Sequence, residues 1–169
     1  TAGGAYPVVI GTGLLGQIET LLDGLTSTPA RRIIVSSPTI WRLHGGALSR
    51  SLSSEPPILV PDGEKHKTLA TAARIYDGLV RASADRATTL VAFGGGVIGD
   101  MAGFAAATWL RGIPCVQVPT TLLAQVDSAI GGKTGVNHTL AKNMIGAFHQ
   151  PIAVVSDPGP LTALPRREF

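Results

Sequence analysis

Between residues 94 and 150 the chain reads GGGVIGDMAGFAAATWLRGIPCVQVPTTLLAQVDSAIGGKTGVNHTLAKNMIGAFHQ, and nearly every polar side chain there suits the holding of phosphates. Gly94-Gly95-Gly96-Val97-Ile98-Gly99 follows the apolar run TTLVAF and opens a predicted helix. Free N–H groups at a helix N-terminus bind phosphate oxygens, and glycine lets a pyrophosphate approach the backbone closely. Asp100, in the first turn, either caps that helix or points at a ligand hydroxyl or ring amide. Thr120 and Thr121 follow Pro119 and are either helix caps or phosphate and nicotinamide contacts. Asp127 lies in the apolar helical stretch LLAQVDSAIGGK, where a lone acid needs a partner; Lys133, across the Gly131-Gly132 turn, is the candidate. Lys142 and Asn143 are expected in another turn, before MIGAF. Two lysines and an asparagine around glycine turns suit an anionic sugar, the alternative being solvated surface lysines.

A second GxGxxG, Gly11-Thr12-Gly13-Leu14-Leu15-Gly16, follows the first apolar run. A dinucleotide fingerprint at that place should have an acid roughly 20 residues on, at the end of the next strand. The next run ends in Ser36-Ser37, so this turn reads as a strand-to-helix connection. PDGEKHKTL, 61–69, is turn chemistry at the carboxyl end of a predicted strand, the edge where open α/β sheets bind ligands. There Glu64 can bond ribose hydroxyls, and Lys65 or Lys67 phosphates. The four histidines, His44, His66, His138 and His149, show no metal-ligand spacing, so no metal site is expected from this chain. No GxSxG elbow is present.

The elements that must carry these residues alternate. Short β-branched runs fall at 7–10, 31–36, 57–60, 88–93, 113–118 and 152–155, with helical patterns between them. Val/Ile-rich strands separated by helices argue for an α/β fold: a Rossmann-like open, mainly parallel sheet with helices on both faces. One helix is expected to bury Leu69, Ala72, Ala73, Tyr76, Leu79 and Val80. SDPGPLTALP reads as a linker or crossover leaving the sheet. With 169 residues, 44% apolar and 15% charged, the chain suits one globular domain. The net charge of +3 with 5% aromatics argues against nucleic-acid binding and suits a small anionic ligand. The single cysteine, Cys115, reads as buried filler, in keeping with a reducing, cytoplasmic location. The start, TAGGAY, lacks the features of a signal peptide. The apolar run 101–110 is too short for a membrane span, so a soluble protein with no membrane partner is expected.

GGGVIGDMAGFAAATWLRGI, VPTTLLAQVDSAIGGKTGVNH and KNMIGAFHQP closely resemble the NAD-binding half of 3-dehydroquinate synthases, with PDGEKHKTL and LTALPRRE as further matching blocks. The resemblance runs from about residue 8 to the end. It implies a carbon–oxygen (phosphate) lyase of the shikimate pathway of aromatic amino acid biosynthesis. Such enzymes convert 3-deoxy-D-arabino-heptulosonate 7-phosphate to 3-dehydroquinate plus phosphate. Bound NAD+ transiently oxidises a secondary alcohol, phosphate is eliminated, the ketone is reduced back, and an intramolecular aldol closes the carbocycle. A divalent metal, zinc or cobalt, polarises the oxidised carbon's oxygen.

By the same resemblance Asp62, Gly63, Glu64, Lys65, His66 and Lys67 match the adenosine-side loop. Gly95, Gly96, Val97, Ile98 and Gly99 match the pyrophosphate turn, and Asp100 a nicotinamide-side contact. Thr120 and Thr121 match a further NAD contact, and Pro160, Leu161, Thr162 and Ala163 a later NAD segment. Asp127, Lys133, Lys142 and Asn143 match the substrate and nicotinamide cluster, with Lys133 and Asn143 implied as catalytic. Arg111 matches an arginine that reaches the phosphate in the neighbouring subunit of a homodimer. Two departures stand out: Ser36-Ser37 replace an Asp- or Asn-containing stretch, and Ala141 stands where the family commonly has Gly. The family's second, helical domain, with its metal-binding Glu and two His, is expected to lie outside this chain. Residues 1–169 therefore read as the NAD-binding domain, with the fragment alone expected to be inactive. Competing readings are another sugar-phosphate cyclase, a group III metal-dependent alcohol or glycerol dehydrogenase, and a nucleotide-binding module without catalysis.

Overall fold

The computed structural model describes residues 5–25, 31–52 and 56–165. The Arg166-Arg167-Glu168 end of the last matching block lies outside them. Six short runs form one parallel sheet: β1 (Val8–Ile10), β2 (Arg32–Ser36), β3 (Ile58–Leu59), β4 (Thr89–Gly94), β5 (Cys115–Pro119) and β8 (Ala153–Ser156). Their spatial order is β1-β8-β5-β4-β2-β3. The central strands β4 and β5 are buried along their whole length, as continuous apolar runs covered on both faces should be.

Helices cover both faces. A 3-10 turn (Leu14–Gln17), α1 (Ile18–Leu25) and α2 (Pro38–Leu52) supply Leu15, Ile18, Leu22, Ile40 and Leu48 to one core layer. The other layer holds Ile75 and Leu79 of α3 (Leu69–Arg81) with Met101, Ala102 and Ala105 of α4 (Gly96–Thr108). Neighbouring strands β2 and β4 therefore send their chains to opposite faces. The carboxyl ends of strands at such a point are the usual ligand position in open α/β sheets.

Three sequence expectations need correction. Helix α3 buries Thr71, Ala72, Ile75, Gly78 and Leu79, whereas Leu69 and Val80 stand 52% and 64% exposed and Ala73 is exposed. The buried stripe is thus turned toward Ile75, because Gly78 is pressed against Ile58: a Cβ at Gly78 would lie 2.5 Å from its Cδ1. Lys142 and Asn143 lie in a strand and not in a turn. β6 (Lys133–His138) and β7 (Ala141–Phe148) form an antiparallel hairpin laid over α4. Gly135 faces Gly146 across the ladder, and a Cβ at Gly146 would lie 2.2 Å from the Thr134 carbonyl. Finally, SDPGPLTALP does not leave the sheet as a linker. It forms a 3-10 turn, Gly159–Ala163, that buries Pro160 and Leu161. No helix among the described residues is long and apolar enough to cross a membrane.

Candidate functional site

The two glycine fingerprints have different fates. At the first, Gly13 takes a left-handed φ of 78° and the Leu15 N–H donates to Asp157 Oδ2 at 3.2 Å. The protein's own carboxylate, 4% exposed, answers the amide that an anion would need. At the second, Gly95 is the extended N-cap of α4 and no side chain caps it. The first amides of that helix are left for a ligand.

The Thr pair divides. Thr121 Oγ1 accepts from the Ala124 N–H at 3.3 Å and so caps the next turn. Thr120 is 1% exposed and its Oγ1 has no partner among the described residues. Beyond it, a π-turn (Ala124–Ser128) carries Asp127 and Ser128. Single π-turns are frequent at functional sites. Ser128 stands over the glycine turn, with Oγ 2.8 Å from where a Cβ of Gly96 would lie. The two serines at the end of β2 are otherwise engaged: Ser36 Oγ donates to the Phe93 carbonyl at 2.8 Å, and Ser37 Oγ accepts from the Ile40 N–H.

Between α4 and the hairpin lies a cavity of about 460 Å³ lined by Lys67, Asp100, Asp127, Ser128, Lys133, Asn143, Met144 and Phe148, among others. Lys67 is its anchor. Only 5% exposed, it pairs with Asp100 Oδ2 at 2.5 Å and donates to Asn143 Oδ1 at 2.6 Å. Asp100 is thus turned to Lys67 and does not cap α4. Burial pushes its carboxyl above the usual range, outweighing the opposing pull of Lys67. Asp127 is exposed and makes no ion pair with Lys133 among the described residues. The expected partnership fails because the carboxylate is solvated and needs none. Lys133 is exposed on the cavity wall, leaving its ammonium free to meet an anion.

A bulge in β7, where Asn143 takes a left-handed φ of 56°, separates Lys142 from Asn143 and Met144. Lys142 and Lys65 line a second cavity of about 950 Å³, with Glu64, Asn137 and His138. Asp62 Oδ1 accepts the Gly63 N–H, and His66 ends a short 3-10 turn. Val97 is half-buried, Ile98 is buried, and Gly99 packs against Gln117. Thr162 and Ala163 are exposed beside buried Pro160 and Leu161. Arg111 is not brought to the cavity. It is exposed, with φ of 66°, beyond the far end of α4. A 13-residue helix puts it roughly 20 Å from the glycine turn. Cys115 is buried, its thiol pushed up to about 12. No group of three or more His, Cys, Asp or Glu among the described residues could hold a metal ion.

Sequence reasoning missed Ser128 and Asn137. Asn137 Nδ2 donates to Glu64 Oε1 at 2.7 Å, and its Oδ1 accepts from the Asn143 N–H at 2.8 Å. Only its place inside the VNH block could have flagged it.

The family described as 3-dehydroquinate synthase N-terminal matches residues 57–169. A 3-dehydroquinate synthase of Thermosynechococcus vestitus is 54% identical over 171 residues, spanning 98% of this chain and 46% of that protein. Among solved structures, a 2-epi-5-epi-valiolone synthase from Streptomyces hygroscopicus subsp. jinggangensis, with NAD+ and Zn2+ bound, superposes with a TM-score of 0.89 at 33% identity, covering 99% of this chain and 47% of that one. A 2-deoxy-scyllo-inosose synthase complexed with carbaglucose-6-phosphate, NAD+ and Co2+ gives 0.85 at 30% identity, covering 99% and 46%. The chain spans about half the length of the relatives it matches.

Proposed function

Because the chain belongs to the 3-dehydroquinate synthase family, we propose that it forms the NAD+-binding part of such an enzyme. The enzyme converts 3-deoxy-D-arabino-heptulosonate 7-phosphate to 3-dehydroquinate and phosphate in the cytoplasm. One observation carries the reading: an uncapped helix N-terminus at Gly95 opens beside a cavity holding two lysines, an asparagine and two aspartates.

The residues present fit NAD+. The α4 amides from Gly96 onward would hold the pyrophosphate, and the unpartnered Thr120 Oγ1 would gain a partner. Glu64, with one oxygen on Asn137, keeps the other for a ribose hydroxyl. Lys65, Lys142 and the 160–163 turn would complete the cofactor's surroundings. When bound, NAD+ would supply a reversible hydride acceptor.

The chain's own side chains would do the rest. The Lys133 ammonium would attract the substrate's anionic groups. Lys67 would hold the Asn143 carbonyl oxygen, leaving the Asn143 amide N–H groups to donate to the substrate. Asp127 would accept from a substrate hydroxyl. Met144 and Phe148 would exclude water from the mouth of the cavity, strengthening each of these interactions. The donor set here does not fit a metal ion, so no step is assigned to one. Zinc or cobalt would be held by a second, helical domain. Arg111, remote from this cavity, would serve the site of the partner subunit in a homodimer.

The test is turnover by the full-length enzyme. Release of phosphate from the heptulosonate substrate, with one NAD+ per site and no net NADH, is the expected result. NAD+ binding without phosphate release would mark a binding module. Release only from another sugar phosphate would mark a different cyclase.

A further inference from the structure

We propose that Asn137 is a positioning residue that sets Glu64, Lys67 and Asn143 relative to one another through a closed ring of hydrogen bonds. The inference rests on the proposed function, since it takes Lys67 and Asn143 to be site groups. The hairpin register shifts opposite Asn137: between the pairs Val136–Ile145 and His138–Ala141 the extra residues lie in β7, around Asn143. A bulge of this kind re-aims a side chain. The Asn137 N–H donates to the Lys67 carbonyl at 2.8 Å, tying the hairpin to the Glu64 loop. Its Oδ1 receives the Asn143 N–H at 2.8 Å. Asn143 holds a left-handed φ of 56° inside a strand, which costs free energy unless its surroundings fix it. The ring closes through Lys67 Nζ on Asn143 Oδ1 at 2.6 Å. Meanwhile Asn137 Nδ2 donates to Glu64 Oε1 at 2.7 Å.

This geometry asks one short side chain to accept from an amide and donate to a carboxylate at once. Asparagine does both; aspartate keeps the acceptor and lacks the donor. Asn137 thereby couples the wall of the larger cavity, where Glu64 stands, to the Lys67–Asn143 pair of the smaller one.

Asn137→Asp in the full-length protein sets a second carboxylate against Glu64. Two carboxylates at hydrogen-bond distance share one proton, and one of them titrates well above the ordinary range. The charged groups around the position are Glu64, Lys65, Lys67, His138, Lys142 and Asp100. Affinities are therefore read as ratios to wild type at each pH, which cancels their own titration. NAD+ affinity, measured calorimetrically, should fall about tenfold at pH 8 and recover to within about threefold of wild type at pH 5.5. Adding Glu64→Gln returns a donor to the pair and should flatten that ratio across pH. If Asn137→Asp fails to fold at pH 8, folding regained only in the double variant supports the same pairing, and folding lost in both overturns it. A pH-independent ratio for Asn137→Asp, or no effect of Glu64→Gln upon it, also overturns it. A wild-type protein that binds no NAD+ overturns the functional reading and this inference together.

Discussion

Lys67 and Asp100 form a pair that neither could sustain alone. A buried ammonium is costly unless it is paired and hydrogen-bonded, and Lys67 meets both conditions through Asp100 and Asn143. The Asp100 carboxyl is raised above its usual 3.8, chiefly by burial. Its folded-state value therefore exceeds its unfolded one, and the folded state favours the proton. The contribution of Asp100 to stability is fully present below the unfolded value and is lost as pH rises through the folded value. Asp100→Asn never ionises and escapes that loss. Its stability relative to wild type should therefore rise as pH climbs above the ordinary 3.8, read as a difference in denaturation midpoints that changes with pH. An unchanging difference would mean that Asp100 titrates alike in both states. Lys133 is the opposite kind of lysine, exposed and ready for a ligand. In the full-length enzyme Lys133→Ala should lower kcat/KM about ten- to hundredfold, the worth of a charged hydrogen bond of roughly 1.5–3 kcal/mol. The melting temperature should hardly move. A loss under about twofold would make Lys133 an ordinary surface residue.

The elements that frame the site meet through missing side chains. Gly103 of α4 faces the hairpin, and a Cβ there would lie 2.4 Å from Thr134 Cγ2. Gly103→Ala should push the hairpin off the helix and destabilise the fold by about 1–3 kcal/mol, measurable by chemical denaturation. The glycine turns test which helix N-terminus takes the cofactor. Gly96→Val would crowd Ser128 and the amides beside it, since a Cβ already lies 2.8 Å from Ser128 Oγ. Gly13 has no neighbour within 4 Å and a left-handed φ of 78°, which asparagine tolerates. Calorimetry on folded variants should show at least about a tenfold loss of NAD+ affinity for Gly96→Val and less than about twofold for Gly13→Asn. Equal losses would put both turns, or neither, at the cofactor.

At the scale of the whole molecule the cavity and Arg111 lie at opposite ends of α4. If Arg111 serves catalysis it acts on another copy. Arg111→Ala alone and Lys133→Ala alone should each cripple a homodimer. A mixed dimer carrying one of each leaves one of its two sites with both side chains intact, and should recover up to about half the activity of a wild-type dimer. A confirmed heterodimer that stays as inactive as its parents would place Arg111 outside the site.

The chain's order of elements was legible in its residues. Runs such as TLVAF and CVQV are too apolar and too β-branched to be anything but buried strands, and the absent acid after β2 set aside the first glycine turn. The family blocks named the candidate residues. Packing decided what each of them does. No periodicity marks KTGVNH and AKNMIGAF as strands, because the glycines that let the hairpin close over α4 are also the commonest turn formers. Once the hairpin forms, the bulge at left-handed Asn143 sends Lys142 to one cavity and Asn143 to the other. The same closure joins Lys67, Asp100 and Asn143, which lie on three separate segments of the sequence. Which of them pair, and which remain free for a ligand, follows from distances and burial that only the folded chain creates.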